Sequence, residues 1–185
     1  WDASYPVSTA VNETAVLTAA TPSGTDWLGS SVAVTDDGNT VAAGSMYRDT
    51  DGRTNNGAVF IYRNPSAWAD ATEDELLTAY NGLDNDYFGF SVSLSASGGY
   101  LVSGAVWKDP GDSNEGSAYL FELDGGSYAP ATPAWFYEDV LLNSSSYFGY
   151  SVAISPDAGT ICITAPGWTD SDAGLSSVGA AFIYQ

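Results

Sequence analysis

The feature that most constrains this chain is a repeat with a period of sixty residues. Asp26-Trp27-Leu28-Gly29-Ser30-Ser31-Val32-Ala33-Val34 returns as Asp86-Tyr87-Phe88-Gly89-Phe90-Ser91-Val92-Ser93-Leu94, and again as Ser146-Tyr147-Phe148-Gly149-Tyr150-Ser151-Val152-Ala153-Ile154. A chain that repeats at a fixed interval builds one unit several times, and each unit buries its apolar faces against its neighbours.

Within each unit the apolar runs are short and separated by turn residues. The Phe-Gly-x-Ser-Val stretch predicts a first strand. Asp37-Gly38 is a hairpin signal, matched by Gly98 and Ala158 in the other copies. A second strand follows at Val41-Ala42-Ala43-Gly44, Leu101-Val102-Ser103-Gly104 and Ile161-Cys162-Ile163-Thr164. A third follows at Gly57–Tyr62, Gly116–Phe121 and Gly179–Tyr184. A connection containing Trp or Tyr then leads to a fourth strand near Leu77, with Leu17-Thr18-Ala19 matching one period upstream and Tyr137-Glu138-Asp139 standing there in the third copy. Twenty glycines and the absence of long stretches of helix formers agree with many short strands joined by turns.

The expected fold is all-β, with three repeats that are each a β-propeller blade of four antiparallel strands. The expected division is an N-terminal segment at 1–25 with a fourth-strand-like stretch, repeats at 26–85 and 86–145, and a third at 146–185 lacking its outer strand. The rings of Phe88 and Phe148 are expected to wedge between adjacent blades, with Gly89 and Gly149 allowing close backbone approach.

Leu77-Thr78-Ala79-Tyr80-Asn81-Gly82, Asp86–Val92 and Gly116-Ser117-Ala118-Tyr119 together resemble the FG-GAP repeat of integrin α-subunit propellers and of secreted microbial and algal proteins. The resemblance spans almost the whole chain. It implies a propeller and an extracellular or cell-surface setting. The Gly-Ala-Pro element departs from the family's form, reading Gly44-Ser45-Met46, Gly104-Ala105-Val106 and Thr164-Ala165-Pro166, and Leu28 stands where Phe is usual. The Asp-rich calcium loop that integrin-type blades carry between strands one and two is replaced by plain turns at 35–39, 95–99 and 155–159, so that site does not carry over.

The charge narrows the partners. With 23 acidic and 4 basic residues the net charge is −19, which repels nucleic acid and anionic lipid. There is no apolar run of membrane-spanning length. The chain contains no His, which removes the commonest general base and the usual triads. A hydrolase would need a special pair of carboxylates, and none stands out, so a non-enzymatic role is expected. Cys162, the lone cysteine, reads as a buried, inert thiol.

Chemistry has one variable, acidic place to sit: the loop between strands two and three. Asp49, Asp51 and Asn55 in the first copy, Asp109, Asp112 and Asn114 in the second, and Asp170 and Asp172 in the third are candidate oxygen ligands for a hard cation such as Ca²⁺. The competing reading is that these are solvent-exposed Asx turns. Asn12 and Asn143 open two N-x-[ST] triplets and are the candidate glycosylation sites. Trp68, Trp107 and Trp168 either offer a glycan-stacking face or pack beneath the loops; Trp107 and Trp168 read as near-equivalents, with Tyr47 in the first copy.

Three blades do not close a propeller, which takes four to eight. Starting at Trp1 without Met, the chain reads as a processed form or a piece of something longer. The expectation is therefore membership of a larger six- or seven-bladed ring, with pairing of two copies as the alternative. The function expected is an extracellular binding, adhesion or scaffold module acting on protein partners through its loops. The alternatives are a structural accessory subunit of a large assembly or filament, and a glycan-binding or glycan-active protein.

Overall fold

The computed structural model describes residues 13–64, 66–109, 113–136 and 144–185, with backbone alone at 130–136. Asn12, Asp112, Asn143 and the stretch Tyr137–Asp139 lie outside the described residues. The described residues are all β, with no helix.

The first blade is an antiparallel sheet of β2 (Ser31–Val34), β3 (Thr40–Ser45), β4 (Ala58–Arg63) and β6 (Glu75–Leu77) in that order. The second is β7 (Phe88–Leu94), β8 (Tyr100–Ala105), β9 (Ser117–Asp124) and β10 (Ser127–Phe136). Among the described residues the third has β11 (Val152–Ile154), β12 (Ile161–Ala165) and β13 (Ala180–Tyr184). The registers repeat: Ala42 faces Ile61, Val102 faces Leu120, and Cys162 faces Ile183. One pairing was not expected. β1 (Leu17–Thr18) runs parallel to β5 (Ala71–Thr72), a short strand in the connection before β6.

Blade one packs on blade two through Ala42, Val59, Ile61, Leu77 and Ala79 against Phe88, Val92, Leu94, Tyr119 and Phe121. Blade two packs on blade three through Val102 and Ala118 against Phe148, Val152, Ile154, Ile161 and Ile163. Successive side chains of a strand point to opposite faces, so a strand between two blades must be apolar on both. β4 shows this, with Ala58, Val59, Phe60, Ile61 and Tyr62 all buried.

Leu17 and Ala19 pack on Phe60 and Tyr62, as Leu77 and Ala79, one period on, pack beside Tyr119 and Phe121. The Tyr62 hydroxyl fastens the earlier segment by donating to the Thr18 carbonyl at 3.1 Å. The N-terminal segment thus holds on blade one the place that the fourth-strand segment of blade one holds on blade two.

Candidate binding face

The junction between blades explains the repeated residues. Between blades one and two, Phe88 is fully buried and forms a parallel bridge with Gly57; between blades two and three, Phe148 does the same with Gly116. Gly89 and Gly149 follow at φ +85 and +87, which only glycine adopts readily. Their carbonyls turn into the preceding blade, where Ser31 Oγ and Ser91 Oγ each donate to one at 2.8 Å. A Cβ on Gly44 would lie 2.0 Å from the Gly89 oxygen, and one on Gly104 2.0 Å from that of Gly149. The niche for the incoming carbonyl therefore exists because residues 44 and 104 have no side chain. Sixty residues later stands Thr164, whose Oγ1 instead accepts from the Ser151 amide at 3.0 Å.

A buried ion pair organises the approach to each of the first two blades. Lys108 Nζ meets Asp86 Oδ2 at 2.8 Å with both side chains 4% exposed. Asp86 also accepts from the Leu83 amide at 2.6 Å, and Lys108 donates to the Asn81 carbonyl at 3.0 Å. One period earlier Arg48 Nη1 meets Asp26 Oδ2 at 2.6 Å, Asp26 accepts from the Ser23 amide, and Arg48 donates to the Thr21 carbonyl. The pair clips the connecting segment onto the blade that follows. The third copy replaces both partners together, with Ser146 for the acid and Trp168 for the base. Trp168 is thus the counterpart of Arg48 and Lys108. The expected equivalence with Trp107 is off by one: Trp107 matches Tyr47 and Gly167.

Arg63 Nη2 pairs with Glu75 Oε2 at 2.7 Å, and the same carboxylate's Oε1 accepts from the Ser127 hydroxyl and the Tyr128 amide, tying the outer rims of the first two blades together. Three of the four basic residues are consumed in ion pairs, which leaves the surface strongly acidic.

The strand-two-to-three loops of blades one and two each reach the approach to the following blade. The first reaches the approach to blade two, where the Thr54 amide donates to Asp84 Oδ1 at 2.9 Å and Asn55 Nδ2 to Asn85 Oδ1 at 3.0 Å. In each loop the leading aspartate accepts from an amide of its own loop: Asp49 from Asn55 at 2.7 Å, Asp109 from Asn114, and Asp170 from Ala173 at 2.9 Å. These bonds span six, five and three residues and close each loop on itself. Among the described residues no three His, Cys, Asp or Glu side chains gather at one point. Of the candidate cation ligands, Asp49, Asp109 and Asp170 each have one carboxylate oxygen engaged by these amides.

Beside the loops runs a feature that strand reasoning missed. The rings of Trp27, Tyr47, Tyr87 and Trp107 form an unbroken edge-to-face series with centroids 4.9, 5.3 and 4.7 Å apart. Trp27 is 63% and Trp107 46% exposed. Trp27, Tyr87 and Tyr147 sit at φ +53, +57 and +57, uncommon for bulky residues, and each immediately precedes the junction residue of its blade. A shallow hollow opens between Thr25, Trp27, Tyr47 and Asn55. The signal was present as an aromatic at the same place in every copy, but which side of the turn it faces depends on its positive φ. Trp68 and Trp168 pack instead: Trp68 donates Nε1–H to the Gly38 carbonyl at 2.9 Å, and Trp168 lies against the core of blade three. Cys162 is half-buried, not enclosed.

The FG-GAP repeat profile matches residues 11–62 and 71–121, more than half of the chain. The chain belongs to the FG-GAP repeat family. The Phe-Gly and Gly-Ala-Pro elements of an FG-GAP repeat are thus the two halves of one junction here: a carbonyl from one blade and a side-chain-free niche in its predecessor. FG-GAP repeats generally occur in extracellular or surface proteins, where they mediate protein interactions. No curated protein matches the chain.

Proposed function

We propose that this chain is a non-catalytic, extracellular protein-binding module whose binding face is the aromatic series Trp27–Tyr47–Tyr87–Trp107 and the acidic loops beside it. The observation that carries this reading is the exposure of Trp27 and Trp107 at the two ends of the series, with Trp27 held at a positive φ. Exposed aromatics contribute much of the energy of protein interfaces, and loops on a rigid β scaffold are where binding residues sit. Two variants test it: Trp27→Ser with Trp107→Ser, and replacement of residues 109–115 by a Gly/Ser loop. Each should lose capture of an extracellular partner in a pull-down while keeping the β circular dichroism spectrum. Undiminished capture by both would sink this face.

The blades are further proposed to be part of a six- or seven-bladed propeller. Val32 and Val34 are 68% and 58% exposed, whereas their counterparts Val92, Leu94, Val152 and Ile154 are 8–9% exposed under the preceding blade. This open packing face also favours the second reading, a structural subunit within a large assembly. A subunit of that kind should stay with its assembly through chelation and moderate salt.

A further inference from the structure

Where aromatic side chains serve the fold, their polar ends are used. The hydroxyls of Tyr62, Tyr100, Tyr119 and Tyr128 donate to Thr18, Glu122, Asn81 and Gly98, and the Trp68 indole donates to Gly38. The series of Trp27, Tyr47, Tyr87 and Trp107 is different. Among the described residues its two indole N–H groups and its two phenol hydroxyls have no hydrogen-bond partner. Ring packing accounts for the centroid steps of 4.9, 5.3 and 4.7 Å. It leaves four donors along the series without a use in the fold.

Shape, donors and charge narrow the occupant. Each ring stands nearly perpendicular to the next, at 79, 89 and 78°. The series is therefore ridged and offers no flat platform for the face of a sugar. An indole N–H only donates. An ordinary extended segment brings amides that need acceptors, whereas proline brings a carbonyl and no amide. Polyproline II rises about 3.1 Å per residue, so about five residues cover the three ring steps. Asp49, Asp51, Asp84 and Asp109 are exposed within three residues of a ring of the series or in the same loop, and Arg53 is the one base in those loops. A ligand with a basic end is matched to them.

We propose that the series is the docking site for a proline-rich segment of a partner, bound as a polyproline II helix with a Lys or Arg beside its prolines. The proposal rests on the reading of this face as a protein-binding site and names its ligand. Pyrrolidine rings pack against the aromatic rings, one of them in the hollow between Thr25, Trp27, Tyr47 and Asn55. The segment's carbonyls accept from the indole and phenol donors, and its basic end lies beside the acidic loops. Such a segment is extended before it binds, so little chain entropy is lost on docking.

The probe is a synthetic peptide of about eight prolines ending in a pair of lysines, added to the 185-residue protein. A glycine peptide of the same length and charge, and a chitin oligosaccharide, are the controls. In heteronuclear NMR the indole N–H signals of Trp27 and Trp107 should shift saturably with the proline peptide, and the glycine peptide should bind about tenfold more weakly. Tyr87→Phe, which keeps the ring and removes one hydroxyl, should weaken binding about fivefold. The proposal fails if the proline peptide shifts neither signal at about 1 mM, if the glycine peptide binds as well, or if Tyr87→Phe binds as tightly as the parent. It also fails if the oligosaccharide shifts these signals and the proline peptide does not, which assigns the face to a glycan. A pull-down that needs Trp27 and Trp107, from a protein that ignores the proline peptide, overturns this ligand and leaves the protein-binding face standing. Capture indifferent to both tryptophans overturns the face itself.

Discussion

At the scale of single residues, buried polar groups tie the blades together. The Asp86–Lys108 pair is almost completely removed from water, so removing one partner strands the other charge, at a cost of about 3–5 kcal/mol. Lys108→Met should therefore lower the urea midpoint sharply. The third blade shows which joint replacement the fold accepts, since Ser146 and Trp168 occupy the two positions there. Asp86→Ser with Lys108→Trp should recover most of the loss, and a double variant no better than Lys108→Met would refute the equivalence. The tyrosines make a second prediction. Burial pushes Tyr62 and Tyr128 up to about 12, with Glu73 adding to the effect at Tyr62, and it raises Tyr119 further in the same direction. The folded state holds these phenols neutral, whereas the unfolded chain ionises them near the ordinary value of 10. Their contribution is complete below pH 10 and is lost as pH rises from about 10 towards 12. Absorbance at 295 nm should show phenolate appearing in a cooperative step as the fold opens above pH 10; a smooth, non-cooperative titration of all phenols would contradict this.

At the scale of the element, the junction between blades is a backbone fit. Gly104→Ala places a methyl group 2.0 Å from the Gly149 oxygen, on backbone atoms held from both sides, so the blades must separate to admit it. A loss of several kcal/mol, measured by chemical denaturation, is expected, well above the ordinary preference between Gly and Ala within a strand. The counterpart change, Thr164→Gly, meets no incoming carbonyl and should cost only the strand preference and the hydroxyl's bond to the Ser151 amide, about 1–2 kcal/mol together. Equal losses at the two positions would show that the niche is not what selects glycine. The four strands of the unit were legible from the sequence because turn residues and short apolar runs carry a local signal. The parallel contact of β1 with β5 was not, since each is two residues long and is held by partners more than fifty residues away, such as the Val16 amide on Asp70 and the Ala20 amide on Glu73.

At the scale of the whole molecule, the same residue type has different value in different copies. Val92→Ala removes packing between two blades and should cost about 2 kcal/mol, whereas Val32→Ala at the open face should be nearly neutral in this chain. In a larger ring, Val32→Ala should become as costly as Val92→Ala, so thermal melts of both variants in this chain and in the native assembly test the proposed ring directly. A neutral Val32→Ala in both settings would leave that face without a neighbour.

The amino-acid sequence alone determined the period, the four-strand unit, the family and the acidic balance, because these depend on local pattern and on counting. The acidic loops were visible for the same reason. The tertiary structure decided which residues do what across blades: that Gly44 and Gly104 are niches for a neighbour's carbonyl, that Asp26 with Arg48 and Asp86 with Lys108 are one device used twice, and that Trp27, Tyr47, Tyr87 and Trp107 form one series exposed at its two ends. Each relation joins atoms from different units, or from distant parts of one. A repeat fixes what every unit is made of; which positions face a neighbour and which face water follows only once the units are stacked.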